Sequence, residues 1–295
     1  MTNLQHLLAL HYTYPLTLNK LHLLLQKVRS IDELKWLSAS ELAHILNIEV
    51  TLALALKRTY SSLLEEDLVE YYASLDIEPI SYTSTDYPKG LLQLIDAPVV
   101  LYTKGKRELL SFEKKIACIG SRQATQYSVE AFRQLMPPLI EAGYIIVSGL
   151  AKGADTLAHR SAIHYGGHTI AVLGHGLHMV YPKSNEELAG YMAQHQLLLT
   201  EYPPHIGPRK HHFPMRNRII SALSDALVVT EAAMRSGTII TTELALEQGK
   251  DVFAVPGPIT SAQSSGTNNL IKEGAIPVWN GYQILEELQM FQIKN

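Results

Sequence analysis

Apolar positions follow two different periods along the chain. Over the first 75 residues they recur at helical spacing, as in Leu21, Leu24, Leu25 and Val28, and again in Leu42, Ile45 and Leu46. That is the stripe of an amphipathic helix. Ser30 with Glu33, and Ser38 with Glu41, have the spacing of a capping box, in which each partner satisfies a free amide of the first turn. Several short helices are predicted up to Tyr72. From Lys115 the pattern changes to short, nearly continuous apolar runs: IACIG (116–120), YIIVSG (144–149), HTIAVLG (168–174), LLLTEY (197–202), ALVVTEA (226–232) and DVFAVPG (251–257). Strands buried on both faces read this way, and helix-length stretches separate them, so the prediction is an α/β, doubly wound parallel sheet with crossover helices. Between the two regimes, residues 76–114 carry turn signals at Glu78–Pro79, Tyr87–Pro88, Lys89–Gly90 and Ala97–Pro98 and read as a transitional segment. The resulting division is a helical domain at 1–75, the transition at 76–114, a sheet domain at 115–281, and a C-terminal helix and tail at 282–295.

Glycine sharpens this division, because all 18 glycines lie at or after Gly90. A helix-hairpin-helix grip on phosphate uses a glycine turn so that backbone amides approach the anion. The helical domain has none and reads as a packing or protein-contact module. Charged residues are 18% of the 295, against about 25% in an average protein, and the formal net charge is −3. These values exclude a disordered chain and a uniformly basic coat, but not a local basic patch. Cys118 is the single cysteine, which excludes an internal disulfide and suits a reducing cytoplasm. The start, MTNLQHLLALHYTYPL, lacks the features of a signal peptide, and no apolar run is long enough to span a membrane.

In open parallel sheets the ligand crevice lies at the carboxyl ends of the strands, where free helix amides meet anions. The residues after the apolar runs are therefore the informative ones. Ser121 and Arg122, Lys152 and Gly153, and Ser236 and Gly237 stand there as phosphate-loop candidates, although glycine at such turns is also ordinary turn chemistry. Neither common nucleotide fingerprint is present: Gly174-x-Gly176 has Met179 where a third glycine belongs, and no phosphate loop of the GxxxxGK type occurs. No nucleotide cofactor is expected. The segment Tyr202 to Ser224 holds Arg209, Lys210, Arg216, Arg218 and Phe213 with no acidic residue. Such a loop either neutralises phosphates while Phe213 stacks on a base, or is a solvated basic loop with Phe213 in the core. The histidines at 159, 164, 168, 175, 178, 211 and 212 form no HExxH pattern, so no metal site is expected. Cys118 lies within an apolar strand, and no GxSxG elbow accompanies Ser121, Ser148 or Ser236, so covalent catalysis is not indicated.

Taken in order, IGSR (119–122), SGLAKGADTLAH (148–159), TIAVLGHGL (169–177), YPKSN (181–185), TEYPP (200–204), HHFPMRNRIISALS (211–224), VVTEAAMRSGTIITTELALEQGKDVFAVPG (228–257) and SGTNNLIKEGA (265–275) resemble the DprA/Smf family of DNA-processing proteins. The resemblance implies an extended Rossmann-type fold preceded by a small all-α, SAM-like domain. It also implies single-stranded DNA binding, a homodimer, loading of the RecA recombinase during natural transformation, and no catalysis. Carried over position by position, it assigns Arg122, Lys183, Lys210, Phe213, Arg216 and Asn217 to DNA. Asn217 has a second reading, a hydrogen bond that shapes the loop. Many family members carry a further winged-helix-like domain, and with only residues 276–295 following the last motif none is expected here. A different class of function comes from Ser236-Gly237-Thr238, which resembles the nucleotide-monophosphate site of lysine-decarboxylase-like phosphoribohydrolases. In place of their three-glycine signature, Ala233-Met234-Arg235-Ser236-Gly237-Thr238 offers one glycine.

Overall fold

The structure is a computed structural model that describes residues 3–234 and 236–294. Five helices come first: α1 (Asn3–Thr13), α2 (Leu18–Leu25), α3 (Ala39–Leu46), α4 (Val50–Leu63) and α5 (Leu68–Ala73). They enclose a core that includes Leu8, Leu21, Leu24, Leu46 and Tyr72. At α3 the capping box closes as its spacing predicts, with Glu41 N donating to Ser38 Oγ at 3.2 Å and Ser38 N donating to Glu41 Oε2 at 2.7 Å. The other box does not form. Residues Ile31–Trp36 wind as a 3₁₀ helix, the Ser30 side chain makes no capping bond, and Glu33 accepts instead from Arg29 N at 2.9 Å. Among the described residues no single helix is long and apolar enough to cross a membrane.

One nine-stranded sheet follows. Its strands are β1 (Glu78–Ser81), β2 (Val100–Gly105), β3 (Lys115–Ile119), β4 (Ile145–Ser148), β5 (Thr169–Leu173), β6 (Leu197–Thr200), β7 (Ala226–Val229), β8 (Asp251–Ala254) and β9 (Ile276–Pro277). Their spatial order is β1-β2-β6-β5-β4-β3-β7-β8-β9. From β6 to β9 every pairing is parallel, whereas β1 pairs with β2 and β2 with β6 antiparallel. Residues 76–114 thus add two edge strands to the sheet. β2 also joins the helices to it: Val99, Val100 and Tyr102 pack in the helical core, and the Tyr102 hydroxyl lies 3.1 Å from His11 Nδ1.

The remaining helices are α6 (Gln126–Glu141), α7 (Ala154–His164), α8 (Glu186–His195), α9 (His212–Ala222), α10 (Gly237–Glu247), α11 (Ser265–Lys272) and α12 (Gly281–Lys294). Alternation along β3 sorts them into two layers. Ala117 and Ile119 face Ile219 and Ile220 of α9, Ala245 of α10 and Leu270 of α11. Ile116 and Cys118 face Phe132 of α6, Ala158 of α7 and Ile284 of α12. The chain winds outward from β3 through β4, β5 and β6, then returns by α9 to β7 on the other side of β3. The topological switch point, where such sheets hold ligands, therefore lies at the carboxyl ends of β3 and β7.

Behind this edge, His159 is completely buried, with Nδ1 2.6 Å from Thr169 Oγ1, and burial lowers its pKa to about 3. The unfolded chain protonates this ring near its ordinary value and the folded one does not. Its stabilising contribution is complete above that ordinary value and is lost as pH falls toward 3. We expect His159→Gln to flatten the acid limb of the unfolding free energy, measured by urea denaturation across pH, by about 1.4 kcal/mol per pH unit between roughly pH 6 and 4. Identical limbs in both proteins would contradict this.

Candidate functional site

A cleft of about 710 Å³ lies over the switch point, between the turn after β3 and the N-terminal ends of α9 and α10. Three elements clamp the turn Gly120-Ser121-Arg122. Ser121 N donates to the Glu231 carbonyl at 2.7 Å, Ala154 N donates to the Ser121 carbonyl at 3.0 Å, and Thr238 Oγ1 donates to the Gly120 carbonyl at 3.0 Å. A Cβ on Gly120 would stand 2.7 Å from the Ala154 methyl, so no larger residue fits. The turn aims Arg122 outward, where its guanidinium lies 5.5 Å from the centre of the Phe213 ring. Tyr181 faces the same ring with centroids 5.6 Å apart. A smaller pocket of about 170 Å³ shares Arg122, Tyr181, Phe213 and Arg216 with the cleft and adds Lys152.

The loop after β4 forms the adjoining wall. Leu150 adopts φ 59°, a left-handed conformation that a branched residue enters only under constraint. The constraint comes from Asn185, whose Nδ2 donates to the Leu150 carbonyl and to Thr156 Oγ1, both at 2.8 Å. This is the physical use of the asparagine in YPKSN. Beneath the loop, Arg216 is 3% exposed, and its Nη1 donates to the carbonyls of Gly149 and Val172. Burial lowers its pKa to about 10, so it remains cationic at neutral pH. Burial also raises the Asp155 carboxyl, and the Arg216 charge opposes that rise.

The basic segment consequently divides. Arg209 and Lys210 are exposed, whereas Arg216 and Arg218 lie on the inner side of α9. Arg218 is 4% exposed and is paired with Glu201 at 2.5 Å and Asp96 at 3.4 Å. A stretch that composition presents as one basic loop is a short loop carrying Arg209 and Lys210, followed by a helix that turns both of its arginines inward. Asn217 spends both ends of its amide within the protein, accepting from Arg216 Nε at 3.0 Å and donating to Thr241 Oγ1 at 2.7 Å.

Of the sequence candidates, Ser121, Arg122, Lys210, Phe213, Arg216, Asn217, Ser236 and Gly237 line the cleft. Lys152 lines the smaller pocket and, with Gly153, a depression of about 380 Å³ beside it. Lys183 is exposed and adjoins Ser184 at the rim of that depression. Gly153 has φ 78°, and its missing Cβ leaves room for the Ser121 carbonyl, 2.3 Å from where that atom would stand. Arg235 falls outside the described residues. Tyr181 and Glu231 lie in segments the sequence singles out, but no role was assigned to either. Tyr181 stands two residues before Lys183 in a quoted motif, and its pairing with Phe213 depends on a contact across 32 residues of chain.

The model of the family described as DNA recombination-mediator protein A matches residues 78–289. The chain is 42% identical over 217 residues to the DNA processing protein DprA of Bacillus subtilis, covering 74% of this chain and 73% of that protein. It is 47% identical over 203 residues to that of Streptococcus pneumoniae, covering 69% and 71%. The X-ray structure of the Streptococcus pneumoniae protein superposes with a TM-score of 0.80 at 37% identity over 97% of this chain and 98% of that one. DNA processing protein A of Helicobacter pylori, whose structure is described for its single-stranded DNA binding mode, gives 0.66 at 32% identity over 72% of this chain and 96% of that one. The chain belongs to the DNA recombination-mediator protein A family, with the extended Rossmann-type sheet and N-terminal helices that its motifs imply.

One substitution tests the clamp beneath the site. A Cβ on Gly149 would stand 2.2 Å from Arg216 Nη1. We expect Gly149→Ala to destabilise the protein by about 1–3 kcal/mol in urea denaturation, as overpacking against a fixed group does. An unchanged midpoint would show that the guanidinium is free to move aside.

Proposed function

We propose that this protein binds single-stranded DNA in the cleft at the carboxyl edge of the sheet, and that as a homodimer in the cytoplasm it presents the strand to the RecA recombinase during natural transformation. The observation that carries the reading is the convergence of Arg122, Lys210 and the Phe213 face on one cleft in a chain of net charge −3. Arg122, Lys152, Lys183 and Lys210 neutralise successive phosphates. Phe213 and Tyr181 offer π faces to unstacked bases, which a duplex keeps covered. The Helicobacter pylori relative, described by its single-stranded DNA binding mode, supports the same ligand here. Arg216 and Asn217 serve the grip by shaping its floor. The protein holds the strand and does no chemistry on it. Family membership weighs against the phosphoribohydrolase reading.

Gel shifts with labelled oligothymidylate over a salt series test this. Four phosphate contacts imply a slope of log affinity against log salt near −3, because each single-strand phosphate contributes about −0.7. Arg122→Ala should weaken all sequences alike and make the slope shallower by about 0.7, and Lys210→Glu should weaken binding further. Duplex of the same sequence should bind more weakly. Full affinity and an unchanged slope in both variants would overturn the reading.

A further inference from the structure

Glu231, at the end of the strand that borders the cleft, is 1% exposed, and no lysine or arginine lies within ion-pair distance of it among the described residues. A buried carboxylate is tolerated only when hydrogen bonds replace its water. Here three donors do so: Thr125 N at 2.7 Å and Ser128 Oγ at 2.7 Å to Oε2, and Thr125 Oγ1 at 2.8 Å to Oε1. All three come from the segment that follows Arg122. Glu231 also grips the residue before it, since its own carbonyl accepts from Ser121 N at 2.7 Å. One residue of the β7 loop thus holds both ends of the short turn that carries Arg122.

We infer that Glu231 is a positioning residue for the DNA grip: its carboxylate and carbonyl fix the Arg122 turn in the outward conformation that meets phosphate. The inference rests on the single-strand reading above. A negative charge next to an anion cleft is otherwise unfavourable, and its place is explained by what it orders. The amide of residue 125 can only donate, and the Thr125 and Ser128 hydroxyls donate here as well, so a carboxylate with its several lone pairs accepts from all three at once. Glutamine can keep its oxygen toward Thr125 N and Ser128 Oγ, but its amide group then faces Thr125 Oγ1, which must accept instead of donate, and the charge that strengthened all three bonds is gone. The turn then keeps its anchors at Gly120 and Ser121 but is weakened on the side that follows Arg122, and Arg122 samples conformations that do not reach the strand.

A double-mutant cycle separates positioning from general damage. Glu231→Gln, Ser128→Ala and Thr125→Ala are each compared with and without Arg122→Ala, by titrating fluorescent oligothymidylate over a salt series. In the presence of Arg122 we expect Glu231→Gln to weaken binding roughly tenfold, the loss of a charge-assisted contact, and to make the salt slope shallower by about 0.7. With Arg122 already replaced, the same change should alter neither quantity. Ser128→Ala and Thr125→Ala should give smaller losses with the same dependence on Arg122, and they carry the test if Glu231→Gln does not fold. Equal losses with and without Arg122, or no loss, overturn the inference. If the unaltered protein shows no salt-dependent binding of oligothymidylate, the single-strand reading itself fails, a result distinct from failure of the Glu231 role.

Discussion

The buried guanidinium of Arg216 binds the carbonyls at the carboxyl ends of β4 and β5, and much of the site follows from that contact. Strand ends in a parallel sheet leave carbonyl oxygens that lack further strand partners. A cation placed against them satisfies two at once and draws neighbouring loops together. The same group lines both the cleft and the pocket beside it, so positive charge is built into the floor as well as the rim. Gly149 is the counterpart of this arrangement, since any side chain there would occupy the guanidinium's position.

Around that floor the site is built from hydrogen bonds between loops, most of them involving a side chain, one loop holding the next. Asn185 fixes Leu150, Thr238 fixes Gly120, and Glu231 fixes Ser121 and Thr125. Each bond joins loops that lie far apart in sequence, so the cleft is rigid although it is made of connections between strands and helices. Rigid loops present exposed cations at set positions, and a groove that is already formed gives up less conformational freedom when a flexible strand binds. The exposed groups, Arg122, Lys152, Lys183 and Lys210, are free to meet a ligand because the buried ones carry the structural load.

Much of this was legible in the sequence. The six apolar runs correspond to β3 through β8, because strands covered on both faces leave a continuous apolar record. The Ser121-Arg122 turn and the glycines at Gly149 and Gly153 stood out because strand-to-helix turns in an α/β sheet have few chemical solutions. The direction of individual cations was not legible. Arg209 and Lys210 point outward while Arg216 and Arg218 point inward, and that depends on the phase at which α9 begins, which composition does not record. The strands β1 and β2 were hidden in a segment full of turn signals, since only pairing with β6 organises it. Glu231 stood at an informative strand end but had no legible role, because a buried acceptor is recognised by its donors, and those lie more than 100 residues away in the chain.

On the proposed reading a single strand lies across the cleft with its bases against Phe213 and Tyr181. The most direct measurement is photocrosslinking of an oligonucleotide carrying 5-iodouracil, followed by mapping of the attached peptides. Attachment is expected at Phe213 or Tyr181, and it should be lost when Arg122 is replaced by alanine. Attachment confined to the helices of residues 3–73, or to the opposite edge of the sheet, would contradict it.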